Sequence, residues 1–166
     1  RIKSRDQNLS FIHQSAIPRY DHRHLFSHGL SPPQALNFLA HFHLAQHTDA
    51  SRVGALLGDF ARGTPESLLE RFPPEVVGGI VLHRAIDRFT DNHPIFLETK
   101  KLLHPSRKRF AGIIVDIIFD HFLAHSWTEY SEVPLPSFIT DMHGILKRRR
   151  SWLTPELADM IERMVQ

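Results

Sequence analysis

Acids and imidazoles recur at four-residue steps in this sequence. Within the apolar stretch 110–127, FAGIIVDIIFDHFLAHSW, Asp116 and Asp120 stand four apart, and His121 and His125 repeat the spacing. At helical period such residues project from neighbouring points of one face. Two carboxylates in so apolar a segment are costly unless a cation, a proton or a metal compensates them. A second segment, EVVGGIVLHRAIDRFTDNH, carries His83, Asp87 and Asp91 as a single polar stripe. His41 lies among Phe38, Leu39, Phe42 and Leu44, and Asp59 among Leu56, Leu57 and Phe60. Histidine and aspartate on several helices are what a metal site inside a helical bundle requires. The chain holds no cysteine, so any metal must use nitrogen and oxygen ligands.

Plainer readings stand beside this one. His41 or His43 can be a core histidine satisfied by one hydrogen bond. Asp59 can pair with Arg62, and His83 with Asp87 can be an exposed i,i+4 pair contributing a few tenths of a kcal/mol.

The elements that must position these residues follow from the apolar period. Asn37 is placed to cap a helix through FLAHFHLAQH, and Val53, Leu56, Leu57 and Phe60 mark a second. In the second, Gly54 and Gly58 permit close approach of a neighbour, and Arg62-Gly63 reads as its end. Pro74 opens the helix bearing His83, which Pro94 stops; Val76, Ile80, Ile86 and Phe89 are its expected core face. The helix over 110–127 offers Ile113, Ile117, Phe119, Phe122 and Leu123 for packing. Phe138, Ile139, Met142, Ile145 and Leu146 mark another helix, and Thr154-Pro155-Glu156 opens a last one with Leu157, Met160, Ile161 and Met164. No strand-like alternation, internal repeat or Gly-rich phosphate loop is present. The expected fold is an all-α, single-domain helical bundle.

Charge narrows the partners. The net +2 over 166 residues is unevenly spread. Residues 1–35 carry five Lys/Arg against two Asp, net +3, and the rest fifteen against sixteen, net −1. The body therefore gives no case for nucleic-acid binding. Residues 1–35, with His13, His22, His24 and His28, read as a loosely ordered N-terminal extension. No apolar run reaches membrane-spanning length and no secretory leader is evident, so a soluble cytoplasmic protein is expected. Two basic groups stand out: Lys100, Lys101, Arg107, Lys108 and Arg109, and the run 147–150. The run 147–150 is either a solvated helix end opposing its dipole or a docking surface for an acidic partner.

The ordered set LNFLAHFHLAQH, GALLGDFARG, FPPEVVGGIVLHRAIDRFTDNHP and RKRFAGIIVDIIFDHFLAHSW resembles the acyl carrier protein phosphodiesterases, or acyl carrier protein hydrolyases. The resemblance runs from Leu36 to near the chain end. It implies an HD-type metal-dependent phosphohydrolase domain over 36–166, with manganese as the metal. The implied reaction is hydrolysis of the phosphodiester joining 4'-phosphopantetheine to the serine of holo acyl carrier protein, an acidic partner. By the same resemblance, His41, Asp59, His83, Asp87, Asp120 and His121 are ligands or near-ligands, with Asp116 close by, and Arg62 and Arg84 are candidates for phosphate oxygens. The ligand set itself stays open. A base for the attacking water is sought in Asp91 or His125. The resemblance also implies that family members begin near Leu36 and continue past Gln166 with another helical segment. The rival activities are a nucleotide phosphohydrolase of the same chemistry and a non-catalytic helical carrier-binding module.

Overall fold

Proline and short polar caps start most of the helices. The computed structural model describes residues 38–164, and Asn37 and the extension 1–35 lie outside the described residues. Eight α-helices and no strand are found among the described residues: α1 (Leu39–Leu44), α2 (Asp49–Leu57), α3 (Pro65–Leu69), α4 (Pro74–Asp91), α5 (Pro94–Leu102), α6 (Ala111–His125), α7 (Leu135–Arg148) and α8 (Pro155–Met164). Thr48 caps α2 by accepting from Ser51 N at 3.1 Å, and Thr64 caps α3 from Ser67 N. Proline occupies the first turn of α3, α4, α5 and α7, where its missing N–H costs nothing. A 3-10 turn, Pro105–Phe110, leads into α6. No helix among these is long and apolar enough to cross a membrane.

The core is built on α2 and α4, which make the most extensive helix pair. Val53, Leu56 and Leu57 face Val76, Val77 and Ile80, all buried. Gly54 makes the close approach possible: a Cβ there would lie 2.7 Å from Gly79 Cα and 2.9 Å from Ile80 N. From α7, Phe138, Met142, Ile145 and Leu146 close the core with Trp127 and, from α8, Leu157 and Met160. On the surface Asp49 at the start of α2 ties to Arg149 Nε at 3.0 Å and to Arg148 at 3.3 Å.

Several expectations are corrected here. The first helix is six residues long and ends at Ala45, whose backbone is extended. α2 stops at Leu57, before Arg62-Gly63; Gly63 instead makes a turn at φ 123°, a conformation that favours glycine. Phe89 is 72% exposed, because it stands about 220° round α4 from Val76 and misses the buried stripe. In α6 only Ala111 and Val115 are buried, whereas Ile113 and Phe122 are 59% and 61% exposed. Its apolar residues run all the way round, so no single face can bury them all. Ile139 of α7 is also exposed. Neither α3 nor α5 was anticipated from the apolar period, each being too short to show one and burying a single residue, Leu68 and Phe96.

Candidate functional site

The buried stripe of α4 runs Val76, Ile80, His83 and then reaches solvent at Asp87. This i, i+4, i+7 progression places His83 against α2 and leaves Asp87 half-buried at the edge of the same face. Gly58 lies against the imidazole, and a Cβ at that position would collide with the His83 ring. His83 is 1% exposed, and its Nδ1 is 2.6 Å from the carbonyl of Ala55, to which it donates. Its Nε2 lies 3.2 Å from Asp59 Oδ1 and 3.1 Å from Asp87 Oδ2. Burial alone would depress the pKa of His83, but the hydrogen bonds and charges of Asp59 and Asp87 outweigh it and push it up to about 9.

His41 arrives from α1 and stacks on His83, with ring centroids 3.8 Å apart and planes 15° from parallel. Its Nε2 is 3.2 Å from Asp87 Oδ1, so the Asp87 carboxylate joins both imidazoles. Burial works to raise the pKa of Asp87, yet the two histidines overcome it and hold its carboxyl well below the usual range. One ligand atom from each of His41, His83 and Asp87 lies within 4.8 Å of the others.

This donor set fits a divalent cation. The Ala55 carbonyl holds the Nδ1 proton of His83, which in the neutral ring leaves the Nε2 lone pair directed at the cluster. Nδ1 of His41 is buried with no hydrogen-bond partner among the described residues, so this ring is not satisfied by the protein alone. Two imidazoles and a carboxylate suit zinc, manganese or iron in this ligand-only sense.

Asp116 and Asp120 of α6 are half-buried, Asp120 against the start of α1 and Asp116 within electrostatic range of Asp87 and Asp91 of α4. Asp120 receives Leu39 N at 2.8 Å and Ala40 N at 3.0 Å, capping α1 from another helix. Burial raises the Asp120 pKa, against the pull of those two amides. Asp116 is pushed up to about 6, first by burial and then by the negative charges of Asp87, Asp91 and Asp120.

The remaining candidates are placed less centrally. Asp91 is exposed and pairs with Lys100 at 3.5 Å. Arg84 spends its two terminal nitrogens on the carbonyls of Gly63 at 2.9 Å and Ala61 at 2.5 Å, which fastens the loop after α2 to α4. Arg62 is exposed, as is His125 in the last turn of α6. His121 is exposed with its ring edge toward Phe122, one position round the helix from Asp120. The structure thus brings His41, Asp59, His83 and Asp87 into direct contact and sets Asp116 and Asp120 beside them. Sequence reasoning missed the Ala55 carbonyl, a backbone group that no side-chain pattern reveals. It did note Gly58, without its partner ring.

The family model described as "Acyl carrier protein phosphodiesterase" matches residues 36–166. Curated proteins of that name are similar: the one from Enterobacter sp. (strain 638) is 46% identical over 110 residues, 66% of this chain and 55% of that protein. Its counterpart in Salmonella agona (strain SL483) is 44% identical over 110 residues, with the same coverage. The Escherichia coli (strain K12 / DH10B) protein is 46% identical over 105 residues, 63% of this chain and 53% of that one. The alignments span little more than half the length of these relatives. No solved structure matches the chain.

Proposed function

This chain belongs to the acyl carrier protein phosphodiesterase family, and from that premise we propose that it hydrolyses the phosphodiester between 4'-phosphopantetheine and the serine of holo acyl carrier protein. The products are apo carrier protein and 4'-phosphopantetheine. The single observation that carries this reading is the contact of His41, His83 and Asp87, from two helices of the matched segment, in a half-buried cluster of metal-ligand character. The domain is read as HD-type on the same ground.

His41, His83 and Asp87 would hold a divalent cation, manganese by this reading, with Asp59 at its edge. Such a cation supplies Lewis-acid polarisation of a phosphoryl oxygen. The chain's own residues do the rest. The Ala55 carbonyl fixes the His83 ring so that Nε2 faces the cluster. Asp120 fixes the start of α1 and with it the position of His41. Asp116, with a pKa of about 6, is ionised at neutral pH yet basic enough to accept a proton from an attacking water. It is a better-placed base than Asp91, which pairs with Lys100, or than His125 at the exposed end of α6.

The test is release of 4'-phosphopantetheine from holo carrier protein, followed by mass spectrometry, with metal removed and restored. Chelation and the substitutions His83→Ala and Asp87→Ala are each expected to lower turnover about 100-fold or more while helicity is retained. Unchanged turnover in both variants and after chelation overturns the assignment. Cleavage of nucleotides but not of holo carrier protein would place the chain with the nucleotide phosphohydrolases instead.

A further inference from the structure

Of the nine Lys/Arg in the two basic groups 100–109 and 147–150, five are answered by acids. Arg148 and Arg149 bind Asp49, Arg150 binds Asp159 and Glu162, Lys100 binds Asp91 and Lys101 binds Glu98. The 3-10 turn before α6 is different. Arg107, Lys108 and Arg109 are all exposed, and none has an acidic partner among the described residues. No Asp or Glu occurs anywhere in residues 99–115. The same stretch exposes apolar surface: Leu102 is 85% exposed, Phe110 46% and Ile113 59%. Arg109 lies over the Phe110 ring at 4.4 Å, which holds a cation directly on the apolar ridge.

We propose that Arg107, Lys108 and Arg109, with Phe110 and Ile113, form the surface on which the acidic carrier protein docks, a proposal that rests on the reaction proposed above. Unneutralised cations beside exposed aliphatic and aromatic groups match an acidic protein partner, which needs both charge complementarity and apolar contact. The run 147–150 does not, because three of its four charges are spent within the molecule. Position agrees: Asp116 is six residues beyond Phe110 on α6, about 9 Å along the helix axis. A partner seated on the turn therefore lies within a short tether of the His41–His83–Asp87 cluster.

Binding of an apo acyl carrier protein, which has no phosphopantetheine to lose, tests docking apart from chemistry. Fluorescence anisotropy at low and physiological salt should show the Arg107→Glu, Lys108→Glu, Arg109→Glu triple variant bound about tenfold more weakly than wild type, with a flatter salt dependence. The corresponding Gln variant should fall between, and circular dichroism should show both folded. On holo carrier protein the triple variant should raise KM by a like factor and leave kcat unchanged. The proposal is overturned if the triple variant binds as wild type does, if Lys147→Glu weakens binding as much as Lys108→Glu, or if wild type binds no carrier protein. Tight, salt-sensitive binding of wild type without cleavage of holo carrier protein would leave docking standing and remove the reaction instead.

Discussion

His83 has two nitrogens with different duties: Nδ1 is committed to a backbone carbonyl, and Nε2 is shared by two carboxylates. In the metal-free protein this ring holds its proton to about pH 9, so its stabilising charge is complete below 6.5 and is lost as pH rises toward 9. Asp116 acts in the same sense at lower pH. Its carboxyl, raised to about 6, becomes an unfavourable negative charge as pH climbs from 3.8 through 6. Metal-free protein in chelator should therefore lose thermal stability in two stages, from about pH 4 to pH 6 as Asp116 ionises and from about pH 6.5 to pH 9 as His83 loses its proton. Asp116→Asn, which removes the charge, should raise stability at pH 7 by on the order of 1–2 kcal/mol. A lower Tm in that variant would show that the Asp116 carboxylate is compensated by something other than a bound cation. At this scale the sequence was most informative where one helix carried the pair, as with His83 and Asp87, since a four-residue step survives any packing. The stacking of His41 on His83 depends on how α1 crosses α4, and no spacing within either segment encodes that. The cap that Asp120 supplies to α1 joins residues 81 apart and was equally out of reach.

The elements were legible in proportion to their period. α4 and α7 declare themselves through proline starts and one-sided apolar stripes. α6 is apolar on every side, so its segment announces a helix without saying which face is buried. Glycine gives a sharper test of element packing. Gly78 and Gly79 are neighbours in α4, yet a Cβ on Gly78 meets nothing within 4 Å while one on Gly79 would strike α2. Gly78→Ala should stabilise the protein by about 0.5–1 kcal/mol through helix propensity. Gly79→Ala should destabilise it by roughly 1–3 kcal/mol by forcing α2 from α4. Paired urea unfolding curves decide it, and equal effects of the two substitutions would disprove the close crossing.

Over the whole molecule, the all-α class and the family were readable from pattern and ordered motifs, because both are spread over many residues. How the ends of the described chain are held together was not. Asp49 draws Arg148 and Arg149 from about 100 positions away, and those cations hold its carboxyl below the usual range although burial opposes them. This surface cluster steadies α2 against α7. Asp49→Asn should cost less than about 1 kcal/mol, shrinking further in 1 M salt, as exposed ion pairs do. A larger, salt-independent loss would mean that the contact organises the fold.

α1 has too few residues to persist alone in water, and its amides are held by Asp120 rather than by a cap of its own. Yet this brief segment delivers His41 to the cluster. A cation bound by His41, His83 and Asp87 would prefer the form in which α1 is in place, and so would raise the population of that form. A cation held there would therefore report on the order of α1 itself, while the α2–α4 core stands on its own apolar contacts.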